Sequence, residues 1–199
     1  MMMSISGILS DKNLISGPAV QAIFDEYYED ILELDASSPS KLMQELWSRY
    51  PNKIRSLNGK VFEGLLATVL YRAGVYPLYA EASLSFVPNV EFDFVAYCRE
   101  CGPVILSAKT SLRERYKQAD LEGMMVRQVH RKAKSYLITL DEPAARLVNE
   151  KILNGQVLGL DDVIVATEKK FDSLIAEISQ LNFFTPEKIE VLKGKRLIL

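Results

Sequence analysis

Apolar residues recur at the spacing of an amphipathic helix in three segments near the start of the chain. The helices predicted from this spacing are 17–35, a segment that follows the turn at 37–40 and runs through Trp47 and Tyr50, and a segment from Lys53 or Asn58 to Arg72. Gly74 supplies the stop signal for the third helix. The chain is therefore expected to open with a helical extension.

After Gly74 the pattern changes to short runs rich in β-branched and aromatic residues. Three successive strands are predicted at 78–86, 90–97 and 103–108. The remaining predictions are a helix at 113–133, a strand at 136–140, a helix at 142–153, a strand at 163–166 and a helix at 169–181, with 186–199 left unassigned. This order predicts an α/β fold, a mixed β-sheet flanked by helices on both faces.

Composition places the chain among ordinary globular domains and excludes disordered, collagen-like and coiled-coil classes. It has 199 residues, of which 48% are hydrophobic and 25% charged, which suits one domain spanning 1–199. No uncharged apolar run reaches the roughly 18 residues of a membrane-spanning helix. The first residues lack the basic and apolar regions of a signal peptide, so a cytoplasmic protein without a membrane partner is expected.

Charge is distributed unevenly along this chain, whose formal net charge is only -2. Residues 1–50 carry three Lys or Arg against eight acids, whereas residues 113–134 carry seven Lys or Arg against three acids. A locally basic stretch in an acidic protein is able to meet a polyanion.

Two glutamates interrupt apolar helix faces. Glu63 lies in register with Leu66 and Leu70, and Glu122 lies in register with Met125 and Val129. A boundary residue that reaches solvent accounts for one such glutamate, but two in separate helices favour a functional interpretation.

The second and third predicted strands add a carboxylate and a lysine. Asp93 shares a strand face with Glu91 and Val95, while Phe92, Phe94 and Ala96 are expected on the other face. The short connector after Cys98 predicts a hairpin, which brings Asp93 close to Lys109 at the end of the next strand. A salt bridge at a strand end is the structural alternative. The functional one is Mg²⁺-dependent phosphodiester hydrolysis, which needs hard oxygen ligands and a cation beside the phosphate.

These residues resemble the PD-(D/E)xK nuclease superfamily, with the pattern Phe62-Glu63, Asp93 and Ser107-Ala108-Lys109. Two departures are plain: Phe92 stands where the motif has Pro, and Ser107 stands where it has the second acid. Glu122 follows on the next helix, which resembles the type II restriction endonucleases whose second acid has moved there. The resemblance implies Asp93 and Glu122 as Mg²⁺ ligands, Lys109 at the attacking water, Glu63 beside the metal or on a second one, and Ser107 as a small spacer.

The same subgroup has an Arg-acid-Arg element that recognises CC·GG base pairs, and Arg113, Glu114 and Arg115 match it. Arginine donates two hydrogen bonds to guanine, and a carboxylate accepts one from cytosine, so these residue types suit that readout. Lys117 is assigned to DNA binding with them. A solvated first turn of a helix is the alternative interpretation of this charge run.

The resemblance covers about 52–142, the expected catalytic and recognition core, and leaves 1–50 as the helical extension and 143–199 as a C-terminal α/β part. It implies a sequence-specific endonuclease acting on double-stranded DNA at a short site with CC/GG. A palindromic target would favour a homodimer. A structure-selective nuclease and a catalytically silent DNA-binding protein on the same fold remain the alternatives.

Overall fold

The computed structural model describes residues 4–51, 54–186 and 192–199. Its helices are α1 (Ile5–Asp11), α2 (Pro18–Tyr27), α3 (Pro39–Ser48), α4 (Asn58–Arg72), α5 (Arg115–Val129), α6 (Glu142–Leu153) and α7 (Lys169–Ile178). Its strands are β1 (Leu78–Leu84), β2 (Phe92–Cys98), β3 (Gly102–Lys109), β4 (Lys134–Thr139), β5 (Asp162–Val165) and β6 (Leu192–Ile198). No helix in the described part of the chain is long and apolar enough to cross a membrane.

The six strands form one mixed sheet in the order β5-β4-β3-β2-β1-β6. Strands β1, β2 and β3 pair antiparallel, and β6 joins β1 antiparallel at one edge. On the other side, β3 to β4 and β4 to β5 are parallel pairs, as expected when a helix connects successive strands. The predicted α/β class with a mixed sheet is confirmed.

Helices cover both faces of this sheet. Side chains of α1 to α4 and α7 pack with one set of alternate strand residues, which includes Phe94, Leu106 and Ile138. Side chains of α5 and α6 pack against the opposite face, where Val95 and Leu137 lie. The mixed sheet flanked by helices is therefore confirmed, and α4 lies on the opposite face from α5.

The predicted hairpin between the second and third strands is confirmed. Cys98 pairs with Gly102 across the turn, and Phe94 pairs with Leu106 further along the ladder. Gly102 has a positive φ of 79°, which glycine adopts without a steric penalty. This register brings the start of β2 and the end of β3 next to each other, at the same end of the two strands.

The N-terminal extension differs from its prediction in two places. Helix α1 was not predicted, and α2 ends at Tyr27 rather than near Asp35. The apolar spacing continues beyond Tyr27 because Tyr28 and Ile31 are still buried, although the chain there forms turns. Arg72 binds these turns by donating to the Ile31 and Leu34 carbonyl oxygens at 2.8 and 2.7 Å.

The prediction that Phe92 shares a face with Phe94 and Ala96 is wrong. Phe94 packs in the cluster under α4, whereas Phe92 packs with Val95 and Ile105 on the opposite side. The alternation breaks at the residue between them, Asp93. The neighbouring strand has an irregularity at the same level, because Glu81 has a φ of 49° within β1.

Candidate nuclease site

Asp93 is the centre of a group of charged side chains where the central strand β2 starts and its neighbour β3 ends. Its Oδ2 accepts hydrogen bonds from the Ala108 backbone N–H at 2.7 Å and from the Lys109 Nζ at 2.6 Å. The Asp93 and Lys109 side chains are only 19% and 20% exposed. The structure thus brings together the aspartate and the lysine that the sequence placed on paired strands, in a setting that solvent screens weakly.

Glu63 approaches this pair from α4, which packs on one face of the sheet. Lys60, one turn earlier, donates to the Glu63 Oε2 at 2.9 Å. Burial, and then the negative charge of Asp93, raise the pKa of Glu63 above its ordinary value, although Lys60 and Lys109 partly oppose this. The negative charge of Asp93 therefore disfavours ionisation of Glu63 in addition to burial.

Glu122 approaches from α5 on the opposite face. Gln118, one turn earlier, donates to the Glu122 Oε1 at 2.7 Å. Burial raises the pKa of Glu122, while the hydrogen bond from Gln118 and the charge of Lys109 lower it in part. The charge of Asp93 raises it further. The pKa values of both helix glutamates are therefore raised, by burial first and by the charge of Asp93 in addition.

Ser107 lies in β3 opposite Leu137 of β4 and is only 3% exposed. A buried position between two strands suits a small side chain, and the small-spacer role expected of Ser107 stays a prediction.

The donor chemistry of this cluster suits Mg²⁺. Carboxylate oxygens are the ligands that Mg²⁺ prefers, and proteins commonly provide one or two of them while substrate phosphates and water complete the shell. Asp93 and Glu122 each carry a carboxylate of this kind, and their role as Mg²⁺ ligands stays a prediction. Among the described residues, no group of three or more His, Cys, Asp or Glu is arranged to hold a metal ion.

The predicted recognition residues occupy a separate, solvent-facing part of the molecule. The side chains of Arg113, Glu114, Arg115 and Lys117 are exposed. Helix α5 begins at Arg115 rather than at 113, because Arg113 has a φ of 37° and Glu114 is the N-cap residue. The salt bridge between Glu114 and Lys117 is the contact expected of a solvated first turn.

The backbone of this segment is nevertheless held in place. Leu112 is fully buried, and its N–H donates to the Asp141 Oδ2 at 3.2 Å. The other oxygen of Asp141 caps α6 by accepting from the Ala144 N–H at 3.3 Å. The carboxylate of Asp141 therefore ties residues 112–117, named the recognition segment after their predicted role, to the start of α6.

An open groove of about 820 Å³ runs beside the recognition segment. Its lining residues come from α3, from the start of α4 and the turn before it, from the chain between the end of β3 and the start of α5, and from the residue after β4. They are Trp47, Arg55, Asn58, Gly59, Thr110, Ser111, Arg113, Glu114, Arg115 and Leu140. Arginine side chains and an aromatic ring along one groove are typical of surfaces that contact nucleic acid.

Sequence reasoning missed three residues that shape this site: Glu81, Asp141 and Gly123. The available signals were an acid within an apolar strand for Glu81 and an acid directly before a predicted helix for Asp141. Gly123 lies in the interior of α5, where glycine is unfavourable without a packing reason. A Cβ at this position would collide with the Gly159 carbonyl oxygen, so the glycine permits α5 to approach the loop before β5.

Neither a family model nor a curated protein matches the chain. The solved structures include a match to the complex of restriction endonuclease PspGI with substrate DNA. The two chains are 17% identical with a TM-score of 0.50, and the alignment covers 88% of this chain and 81% of the other. A similarity at this identity concerns the fold, and the chain has a restriction-endonuclease-like α/β fold.

Proposed function

We propose that this protein is a Mg²⁺-dependent endonuclease that cuts double-stranded DNA at a short site containing CC/GG, in the manner of a type II restriction enzyme. The observation that carries the proposal is the contact of Asp93 with Lys109 where β2 starts and β3 ends. Glu63 on α4 and Glu122 on α5 belong to helices on opposite faces of the sheet, and the charge of Asp93 raises the pKa of both. The similarity in fold to restriction endonuclease PspGI, a protein whose structure contains substrate DNA, supports it.

Asp93 and Glu122 would hold the metal ion, and Glu63 would act beside it or on a second ion. Bound Mg²⁺ supplies positive charge to the scissile phosphate and lowers the pKa of bound water. Lys109 orients or polarises the attacking water and offsets the negative charge that develops as the water oxygen bonds to phosphorus and the phosphodiester P–O bond breaks. The hydrogen bond to Asp93 positions the ammonium group of Lys109 for this role.

Arg113, Glu114 and Arg115 would contact base edges in the major groove, with Lys117 on a phosphate. In this arrangement the arginines donate to guanine O6 and N7, and Glu114 accepts from the cytosine amino group. A palindromic target would make the DNA-bound form a homodimer with one such segment on each half-site.

A catalytically silent or structure-selective DNA-binding protein is the second candidate. The observation that favours it is Ser107, which occupies the position of the second acid and cannot ligate a metal as a carboxylate does. In this case Arg113 and Arg115 would hold phosphates without distinguishing sequences.

Incubation of the purified protein with DNA of known sequence, in Mg²⁺ and separately in EDTA, tests the proposal. Discrete ends at one CC/GG-containing sequence, formed in Mg²⁺ and absent in EDTA, are the expected result. Sequence-specific binding without cleavage would favour the silent protein, and cleavage at junctions or flaps irrespective of sequence would favour the structure-selective one. An absence of both binding and cleavage would contradict all three.

A further inference from the structure

Glu81 lies directly opposite Asp93 in the β1–β2 ladder. Ala80 pairs with Phe94 and Ala82 pairs with Phe92, so the residue between the two alanines faces Asp93. Glu81 is also in the left-handed region, with a φ of 49°, where a residue with a long side chain is uncommon. Such backbone conformations persist when the surroundings impose them, and they concentrate at functional sites.

The Glu81 carboxylate binds basic groups from two directions. Lys60 on α4 lies 3.2 Å from its Oε1, and Lys195 on β6 lies 3.0 Å from its Oε2. The guanidinium of Arg196 lies 3.7 Å away. The Glu81 side chain is only 16% exposed. These contacts join α4 and β6 to the strand that carries Glu81.

Lys60 bridges two carboxylates, because the same Nζ that contacts Glu81 donates to Glu63. Glu63 is one of the two helix glutamates whose pKa the charge of Asp93 raises. Burial opposes ionisation of Glu81, but the hydrogen bond from Lys195 and the charge of Lys60 outweigh it and hold the pKa of Glu81 below its ordinary value. A charged Glu81 is thus available to keep Lys60 in place.

We propose that Glu81 is a positioning residue of the cleavage site: its carboxylate anchors Lys60, and Lys60 in turn orients the Glu63 carboxylate by the hydrogen bond that it donates. The inference rests on the proposed function, because the role of Glu63 beside the metal belongs to it. Without Glu81, the ammonium group of Lys60 is left with Glu63 as its acidic partner and is free to draw that carboxylate away from the metal. Groups that orient the immediate surroundings of a metal commonly change its affinity about 10- to 100-fold when removed.

The test is a Mn²⁺ titration of the full-length protein, with free Mn²⁺ measured by electron paramagnetic resonance. Both Glu81→Gln and Lys60→Met are expected to weaken Mn²⁺ binding about 10-fold. Lys170→Met is the matched control, because Lys170 is 51% exposed, much as Lys60 is, and pairs with Asp162 instead of with Glu81 or Glu63. It should leave Mn²⁺ affinity unchanged, and Glu81→Asp should restore part of the loss.

Thermal melting of each variant separates positioning from folding. Glu81→Gln removes the acidic partner of Arg196 and would be uninformative if the variant failed to fold. Lys60→Met then tests the positioning role, because Lys60 is 48% exposed and its replacement should leave the fold intact. Wild-type affinity in Lys60→Met, or an equal loss in Lys170→Met, would overturn the positioning role and leave the proposed function standing. A wild-type protein that binds no Mn²⁺ would contradict the metal-dependent function and this inference with it.

Discussion

The proposed cleavage cluster and the proposed recognition segment are positioned in different ways. In the cleavage cluster the side chains themselves are held: Asp93 by two hydrogen bonds, Glu63 by Lys60 and Glu122 by Gln118. In the recognition segment the backbone is held, through Leu112 and Asp141, while the arginine side chains lie in solvent.

This difference corresponds to what each task requires. Charges that stabilise a transition state act best when they are already oriented in a water-poor site, because no reorganisation is needed during the reaction. Side chains that contact base edges make their final hydrogen bonds only when the DNA supplies the partner. The comparison therefore predicts that changes in the cleavage cluster alter the rate of cutting, while changes in the recognition segment alter the choice of sequence.

The largest effect is expected for Lys109→Ala. Cleavage in Mg²⁺ should fall on the order of 10²- to 10⁴-fold, because the ammonium group beside Asp93 is lost. Specific DNA binding, measured by gel shift in EDTA, should remain. Lys41→Ala, which removes an exposed lysine whose side chain contacts Gln44, is the control and should cut at the wild-type rate. Full-rate cleavage by Lys109→Ala would mean that the active site lies elsewhere.

Gly123→Ala is expected to affect the cleavage cluster through packing. The added methyl group meets the Gly159 carbonyl oxygen, so α5 must shift, at a cost of about 1–3 kcal/mol in the free energy of unfolding. Because Glu122 is the preceding residue, cleavage should fall as well. Urea denaturation measures the first effect. Gly59→Ala in α4 meets open space and should stabilise the fold slightly. Equal stabilities for the two variants would show that the contact between α5 and Gly159 is not tight.

Arg113→Ala tests the recognition side of the comparison. Discrimination between the target and a duplex with one CC/GG pair changed should weaken by about 1–3 kcal/mol, the value of a bidentate base contact. Competition binding measures it. Arg113→Lys keeps the charge but loses the bidentate geometry, so it should retain the salt dependence of binding and lose discrimination. If Arg113→Ala weakened the binding of all DNA sequences equally, Arg113 would be identified as a phosphate contact instead.

The smallest effect concerns pH. Burial raises the pKa of Glu122, so the folded protein binds a proton there more readily than the unfolded chain does. Stability contributed by this group is therefore lost as pH rises from the ordinary glutamate pKa, about 4.3, through the raised value. Glu122→Gln should flatten this loss and gain stability over wild type near neutral pH, measured by urea denaturation in EDTA.

Replacement of the exposed Glu114 should change the stability at neutral pH in the opposite direction. Its hydrogen bond with Lys117 lowers the pKa of Glu114, so Glu114→Gln should lose a small amount of stability at neutral pH. Parallel pH profiles for the two variants would contradict the difference in burial between the cleavage cluster and the recognition segment.

Several site contacts were predictable because short connections determine them. The five-residue connection between the second and third predicted strands allowed a hairpin register that brings Asp93 to Lys109, and both helix glutamates were visible as acids within apolar faces. The contacts of Asp141 with Leu112 and of Gly123 with Gly159 were not predictable. Each joins segments separated by about 30 residues or more, and hydrophobic periodicity carries no information on which segments meet.

Periodicity and residue chemistry were thus sufficient to predict an α/β sheet with helices on both faces and the contact of Asp93 with Lys109. The roles of these two residues, and of Glu63 and Glu122, in cleavage stay predictions. Tertiary structure decided the rest: β6 pairs with β1 across more than a hundred residues of sequence, and this pairing brings Lys195 and Arg196 to Glu81. The physical reason is that strand alternation and helical spacing are local properties, whereas an ion pair between distant strands depends on the register in which the whole sheet closes.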